Sequence, residues 1–203
     1  MNSKVLAVSA AAALAAFAHA APCAAEPREL EWEDLMPPGE EEKLDQMYLD
    51  YFAELERQTR ASIGGAQSLF DFGGGMAGGI MEGSALDQMV QLGTFNTVDE
   101  LDGQEVRIPG YIVPFDFSAD DTYQEFLLAP YFGACIHSPP PPPNQIVYVK
   151  SDKPIKIEDI WPAVWIEGTL HTARHENDLG DAAYTLSFAS MSAYETEDAP
   201  FDD

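Results

Sequence analysis

Cys135 and His137 stand two residues apart in Pro130-Tyr-Phe-Gly-Ala-Cys-Ile-His-Ser-Pro-Pro-Pro-Pro-Pro-Asn-Gln145. On an extended backbone, residues two apart leave the same face. A thiolate and an imidazole on one face suit zinc, copper(I) or another thiophilic metal. Two donors do not make a tight site, so further ligands must come from elsewhere in the fold or from a second molecule. Two other readings stay open: a buried structural cysteine and a reactive thiol. Electrostatics weigh against the last. A nucleophilic thiol needs a depressed pKa, usually from a nearby cation, and Arg107 is the only Lys or Arg between Arg60 and Lys150. There is no Cys-x-x-Cys pair, and Cys23 is the only other cysteine.

His171 and His175 occur in His171-Thr-Ala-Arg-His175. On a helix they would share a face and chelate. They follow a strand pattern and precede Glu-Asn-Asp-Leu-Gly, which reads as a hairpin tip. If the fold brings this tip to residue 137, His171 becomes a third ligand, with Glu176 and Asp178 as weak oxygen donors. The prolines Pro139, Pro140, Pro141, Pro142 and Pro143 impose a polyproline II rod roughly 15 Å long. That rod either stiffens the Cys–His pair or, with Asn144 and Gln145, meets an aromatic groove on a partner. Neither Gly-x-Ser-x-Gly nor His-Glu-x-x-His occurs, so no hydrolase signature supports an enzyme.

These residues need elements to position them. From about residue 94 the pattern has period two. Val106–Phe117, Gln145–Lys150, Val164–Leu170 and Tyr184–Met191 read as strands. Pro109-Gly110 marks a bulge or bend in the first, where Arg107 is a structural residue. Tyr123–Leu128 reads as a short helix. Four or five strands in about 100 residues predict a small OB-like β-barrel over residues 94–196. Upstream, Leu44, Met47, Tyr48, Tyr51 and Leu55 form one stripe of a helix over residues 40–60. The fold class is mainly β, α+β overall, with an N-terminal helical arm. Residues 21–93 hold an exposed leader, whose apolar anchors in Leu30-Glu-Trp-Glu-Asp-Leu35 can lie against the domain, then that helix, a Gly-rich connector over 64–85 and a short helix over 86–92. Residues 197–203 form an acidic tail.

The chain of 203 residues has 35 Asp and Glu against 10 Lys and Arg, a net charge of −25. That charge works against nucleic-acid binding, which rests on Lys and Arg, and against an anionic membrane surface. It suits either a cationic partner or metal, or plain solubility in a salty compartment. Residues 1–20 read as a cleavable signal peptide: Lys4, the apolar run Val5–Phe17, then Ala18-His19-Ala20. Cleavage after Ala20 or Ala25 delivers the rest to a periplasm. No later segment is long and apolar enough to span a membrane.

Residues from about 95 to 195 resemble the bacterial envelope proteins grouped as domain of unknown function 3299. The runs that carry the resemblance are Glu100-Leu-Asp-Gly-Gln-Glu-Val-Arg-Ile-Pro-Gly-Tyr-Ile-Val-Pro114, Glu125-Phe-Leu-Leu-Ala-Pro-Tyr-Phe-Gly-Ala-Cys-Ile-His137 with its prolines and Asn144-Gln145, and Val164-Trp-Ile-Glu-Gly-Thr-Leu170. Trp32-Glu-Asp-Leu-Met-Pro37 is similar to the family's leader. The resemblance implies an exported protein with a small β-rich domain. It also implies association with envelope ABC-transporter components and with zinc homeostasis, and it carries over Cys135 and His137. Pro22 before Cys23 departs from the lipid-anchored members. The expectation is therefore a periplasmic, non-enzymatic accessory that binds or handles zinc (Zn2+). The alternative is an interaction module for an envelope ABC transporter, using the proline run and the acidic surface.

Overall fold

A computed structural model describes residues 26–62, 90–115, 120–135 and 140–194. The segment expected to be a signal peptide, Cys23, the Gly-rich connector, most of the short helix expected over 86–92, His137, Pro139 and residues 195–203 lie outside the described residues. The strands are β1 (Arg28–Glu29), β2 (Gln104–Pro114), β3 (Thr122–Ala129), β4 (Val147–Lys156), β5 (Val164–His171) and β6 (Tyr184–Ala193), with one long helix, α1 (Glu40–Ser62). The sheet runs β1-β2-β3-β4-β6-β5, and β5 returns to β2. Five strands thus close a barrel, with β1 as an added edge. Within the barrel only β4 and β6 run parallel. This is the mainly β, OB-like architecture that the alternating sequence predicts.

Strand β2 does most to close the ring. Its residues 104–110 pair with β5, and residues 111–114 pair with β3. Pro109-Gly110 sits at the change of partner, and neither pairing shifts register there. A Cβ on Gly110 would lie 2.8 Å from Leu128 Cγ and 2.9 Å from the Ala129 carbonyl oxygen. Only glycine lets the two strands approach so closely there.

Alternate residues fill the interior. Val106, Ile108, Ile112, Phe126, Leu128, Val147, Val149, Ile166, Leu170, Tyr184 and Leu186 form one buried cluster. Residues 123–128, expected to be helical, belong to β3. The reason is burial on both faces: Phe126 and Leu128 point into the barrel, while Leu127 and Ala129 pack in a second cluster outside it. A strand buried on both sides loses the alternation that identifies it.

The leader anchors lie against the domain and go deeper than an exposed segment would. Leu30 and Leu35 are fully buried in the barrel core. The Trp32 indole N–H donates to the Pro109 carbonyl at 2.7 Å. The Tyr184 hydroxyl donates to the Leu35 carbonyl at 2.8 Å and accepts from the Val98 amide at 2.7 Å. The leader is therefore part of the barrel rather than an exposed approach to it. Leu30 precedes and Leu35 ends a single 3-10 turn at Trp32–Leu35, so neither a helical nor a strand period announces them.

Helix α1 starts where predicted. Gly39, at φ +80°, turns the chain into it. Glu40, Glu41 and Glu42 occupy its first turn, where the helix dipole favours negative charge. Glu40 is buried and accepts from Lys43 Nζ at 2.6 Å, from Asn96 Nδ2 at 2.8 Å and from the Thr94 hydroxyl. These bonds, led by that of Lys43, hold its carboxyl down at about 2. They also tie the segment entering the barrel to the helix.

Candidate functional site

Cys135 lies in the connector from β3 to β4. Gly133 and Cys135 both adopt positive φ, +79° and +65°. Positive φ is uncommon for a residue with a Cβ, and the two together turn the chain inward. Cys135 is buried beside Val113, Leu127, Ala129, Ala134, Ile146, Tyr148 and Ala182. A Cβ on Gly180 would lie 3.4 Å from its Sγ and 3.2 Å from Pro140 Cβ. The thiol therefore faces the β5–β6 connector at Gly180, where a Cβ would touch it and press on Ile146 and Pro140.

The thiol is not sealed in this cluster. It lines an open recess of about 300 Å³ together with Gln91, Pro140, Asn177, Asp178, Leu179, Gly180 and Asp181. Gln91 clasps the recess. Its Nε2 donates to the carbonyls of Pro141 at 2.7 Å and Asp181 at 2.9 Å, and its Oε1 accepts from the Asp181 amide at 2.8 Å. Asp181 Oδ1 accepts from the Asn177 amide at 3.1 Å. Burial pushes the Cys135 thiol up to about 11. A resting thiolate nucleophile is thus disfavoured, in the direction the chain's acidity predicts but chiefly by desolvation. No pattern in the sequence singles out Gln91, because its role depends on a connector almost ninety residues later.

The two histidines go separate ways. His171 ends β5, and its Nδ1 lies 3.7 Å from Asp102 Oδ1. His175 forms an antiparallel bridge with Ala182. Its ring stacks on Tyr148 with centroids 3.7 Å apart and planes 2° apart, and Phe115 stands 6.1 Å from both rings. His171 is thus the last residue of β5 and His175 lies on the β5–β6 connector, neither on a helix and both half-buried. Glu176 is engaged by Arg174. Among the described residues no group of three or more His, Cys, Asp or Glu is placed to hold a metal ion. His171 is directed to Asp102 and His175 to Tyr148, while His137 is outside the described residues.

The proline run is built into the fold. Pro140, Pro141 and Pro143 are buried and Pro142 is half-buried. A Cβ on Gly93, at φ +141°, would lie 2.6 Å from Pro142 Cβ. Prolines bring no N–H to satisfy, and their carbonyls are used: Pro141 accepts from Gln91, Pro142 from the Gln145 amide, and Pro143 from the Ala183 amide at 2.7 Å. Asn144 is buried, and Gln145 Nε2 donates to the Trp32 carbonyl at 2.8 Å. The described prolines thus brace the recess wall; the surface rod that sequence allows is replaced by internal packing.

Arg107 packs against an aromatic ring. Its guanidinium lies 4.0 Å over the Trp165 ring, with Nη1 3.8 Å from Glu29 Oε2 and Nε buried without a hydrogen-bond partner.

The sequence profile of the family described as "Protein of unknown function (DUF3299)" matches residues 32–193. The crystal structure of a DUF3299 family protein from Pseudomonas aeruginosa PAO1 is similar at 31% sequence identity and a TM-score of 0.56, over 85% of this chain and 99% of that one. No curated protein matches.

Proposed function

The chain belongs to the DUF3299 family, and we propose that it is an exported, non-enzymatic accessory protein that takes up a thiophilic metal ion, zinc first, at Cys135. The observation that carries this reading is the placement of Cys135: a cysteine at the floor of an acid-rimmed recess rather than sealed in a core. Its sulfur is the soft donor, and Asp178 and Asp181 offer oxygen donors at the rim. Asp181 already serves the Asn177 amide, so Asp178 is the freer of the two. The described donors are too few for a closed tetrahedral site. The reading therefore also uses His137, two residues along the chain, or a donor from a second molecule. Zinc must displace the proton of a thiol held at about 11, so uptake falls steeply as pH drops. Export to a periplasm rests on the signal pattern of residues 1–20.

The test is zinc stoichiometry and affinity of the reduced protein lacking residues 1–20, beside Cys135→Ala and His137→Ala. One zinc per chain, lost in both variants, supports the site. Retention by Cys135→Ala rejects it. Docking on an envelope ABC-transporter component is the second reading. Its support is the acidic surface, since the described prolines are occupied within the fold.

A further inference from the structure

Three rings from three separate segments meet on the outside of the barrel. Tyr111 comes from β2, Phe132 from the β3–β4 connector and Trp161 from the β4–β5 connector. Tyr111 and Phe132 have centroids 6.0 Å apart and meet edge to face; Phe132 and Trp161 lie 5.4 Å apart at 39°. Phe132 is 50% exposed and Trp161 64% exposed. Large aromatic side chains at that exposure forgo most of the burial that would justify them in a fold. Clustered, they form a surface patch of the kind that marks binding.

The charge around the patch selects its occupant. The Trp161 backbone amide donates to Asp159 Oδ1 at 2.9 Å, which fixes a carboxylate at the backbone of the residue that carries the indole. The chain carries a net −25. A second copy would bring the same charge, and a nucleic acid or an anionic bilayer would add more, so all three are repelled. A guanidinium or ammonium is attracted twice, by the ring faces and by Asp159. The geometry points to Tyr111, Phe132 and Trp161 as a docking surface for an arginine- or lysine-bearing extended segment of a partner protein. This site is independent of the metal reading, because it shares no residue with the Cys135 recess.

The probe is an octapeptide of alternating Arg and Pro, compared with one of alternating Glu and Pro. Binding is followed by the three tryptophan indole N–H signals in a heteronuclear NMR titration. The Arg peptide should move the Trp161 signal and leave Trp32, whose indole is bonded to Pro109, in place. The Glu peptide should not bind. Trp161→Ala and Phe132→Ala should each weaken binding about tenfold, and Trp161→Phe should restore most of it. Both positions are exposed, so the variants should keep the parent's thermal transition. Equal binding of the Arg peptide by the double Ala variant would overturn the proposal, since diffuse acidity would then suffice. So would a Trp161 signal that moves only with protein concentration, which would make a second copy the occupant.

Discussion

The barrel interior and the cluster around Cys135 are built from alternate residues of the same strands. On β2, Ile112 faces the interior and Val113 the outer cluster; on β3, Phe126 and Leu128 go in while Leu127 and Ala129 go out; on β4, Val147 and Val149 go in and Tyr148 goes out. The two differ in what completes them. The interior is closed mostly by more strand and by the leader leucines, with Leu101, Ile157 and Ala183 from connectors. The outer cluster is closed by connectors, through Ala134, Cys135, Ile146 and Ala182. Strand residues give a stiff, fully packed core. Connector residues leave the outer cluster open at one side, and the recess forms there. The same pleat thus supplies both the support and the recess.

Substitutions should separate the two regions. Phe126→Ala, in the interior and 0% exposed, should cost about 3–5 kcal/mol, read from urea unfolding. Tyr184→Phe should cost about 2 kcal/mol, because it leaves the Leu35 carbonyl and the Val98 amide without their shared hydroxyl. A loss near zero would mean that the leader is not held by the barrel. In the outer cluster, Cys135→Ala should cost only about 1 kcal/mol while removing zinc uptake. If it destabilises as much as Phe126→Ala, the cysteine is core and the contrast between the regions fails.

A pH-dependent effect lies outside both regions. The Glu40 carboxyl is held at about 2 against an ordinary 4.5. Between those values the unfolded chain binds more protons than the folded one, so stability rises with pH. This contribution is complete above the ordinary value and is lost as pH falls toward 2. Glu40→Gln should flatten the stability profile in that window, measured by urea midpoints at a series of pH values. An unchanged slope would assign the acid sensitivity to other carboxylates.

The interior was legible in the sequence where one face of a strand is polar. In β5 the buried Val164, Ile166 and Leu170 alternate with half-buried residues, and in β6 Tyr184 and Leu186 do the same. Strand β3 was misread because its second face also packs, which erases the period. Leu30 and Leu35 were underread because a lone turn has no period to show. At the site, Cys135 stood out by residue type and by its neighbours. Its recess did not, because Gln91 and Gly180 act through contacts far apart in the chain, which leave no local pattern. The proline run was visible as a stiff segment, but which side of it faces the protein depends on Gly93 and Gln91.

The most direct test of the central claim is a cobalt(II) titration of the reduced protein, read in the near ultraviolet where thiolate-to-cobalt charge transfer absorbs. The account predicts a saturable band at one cobalt per chain, reversed by zinc, absent in Cys135→Ser and lost as pH falls. A protein that takes up cobalt without the band, or that shows the same band in Cys135→Ser, would contradict the assignment of the metal to Cys135.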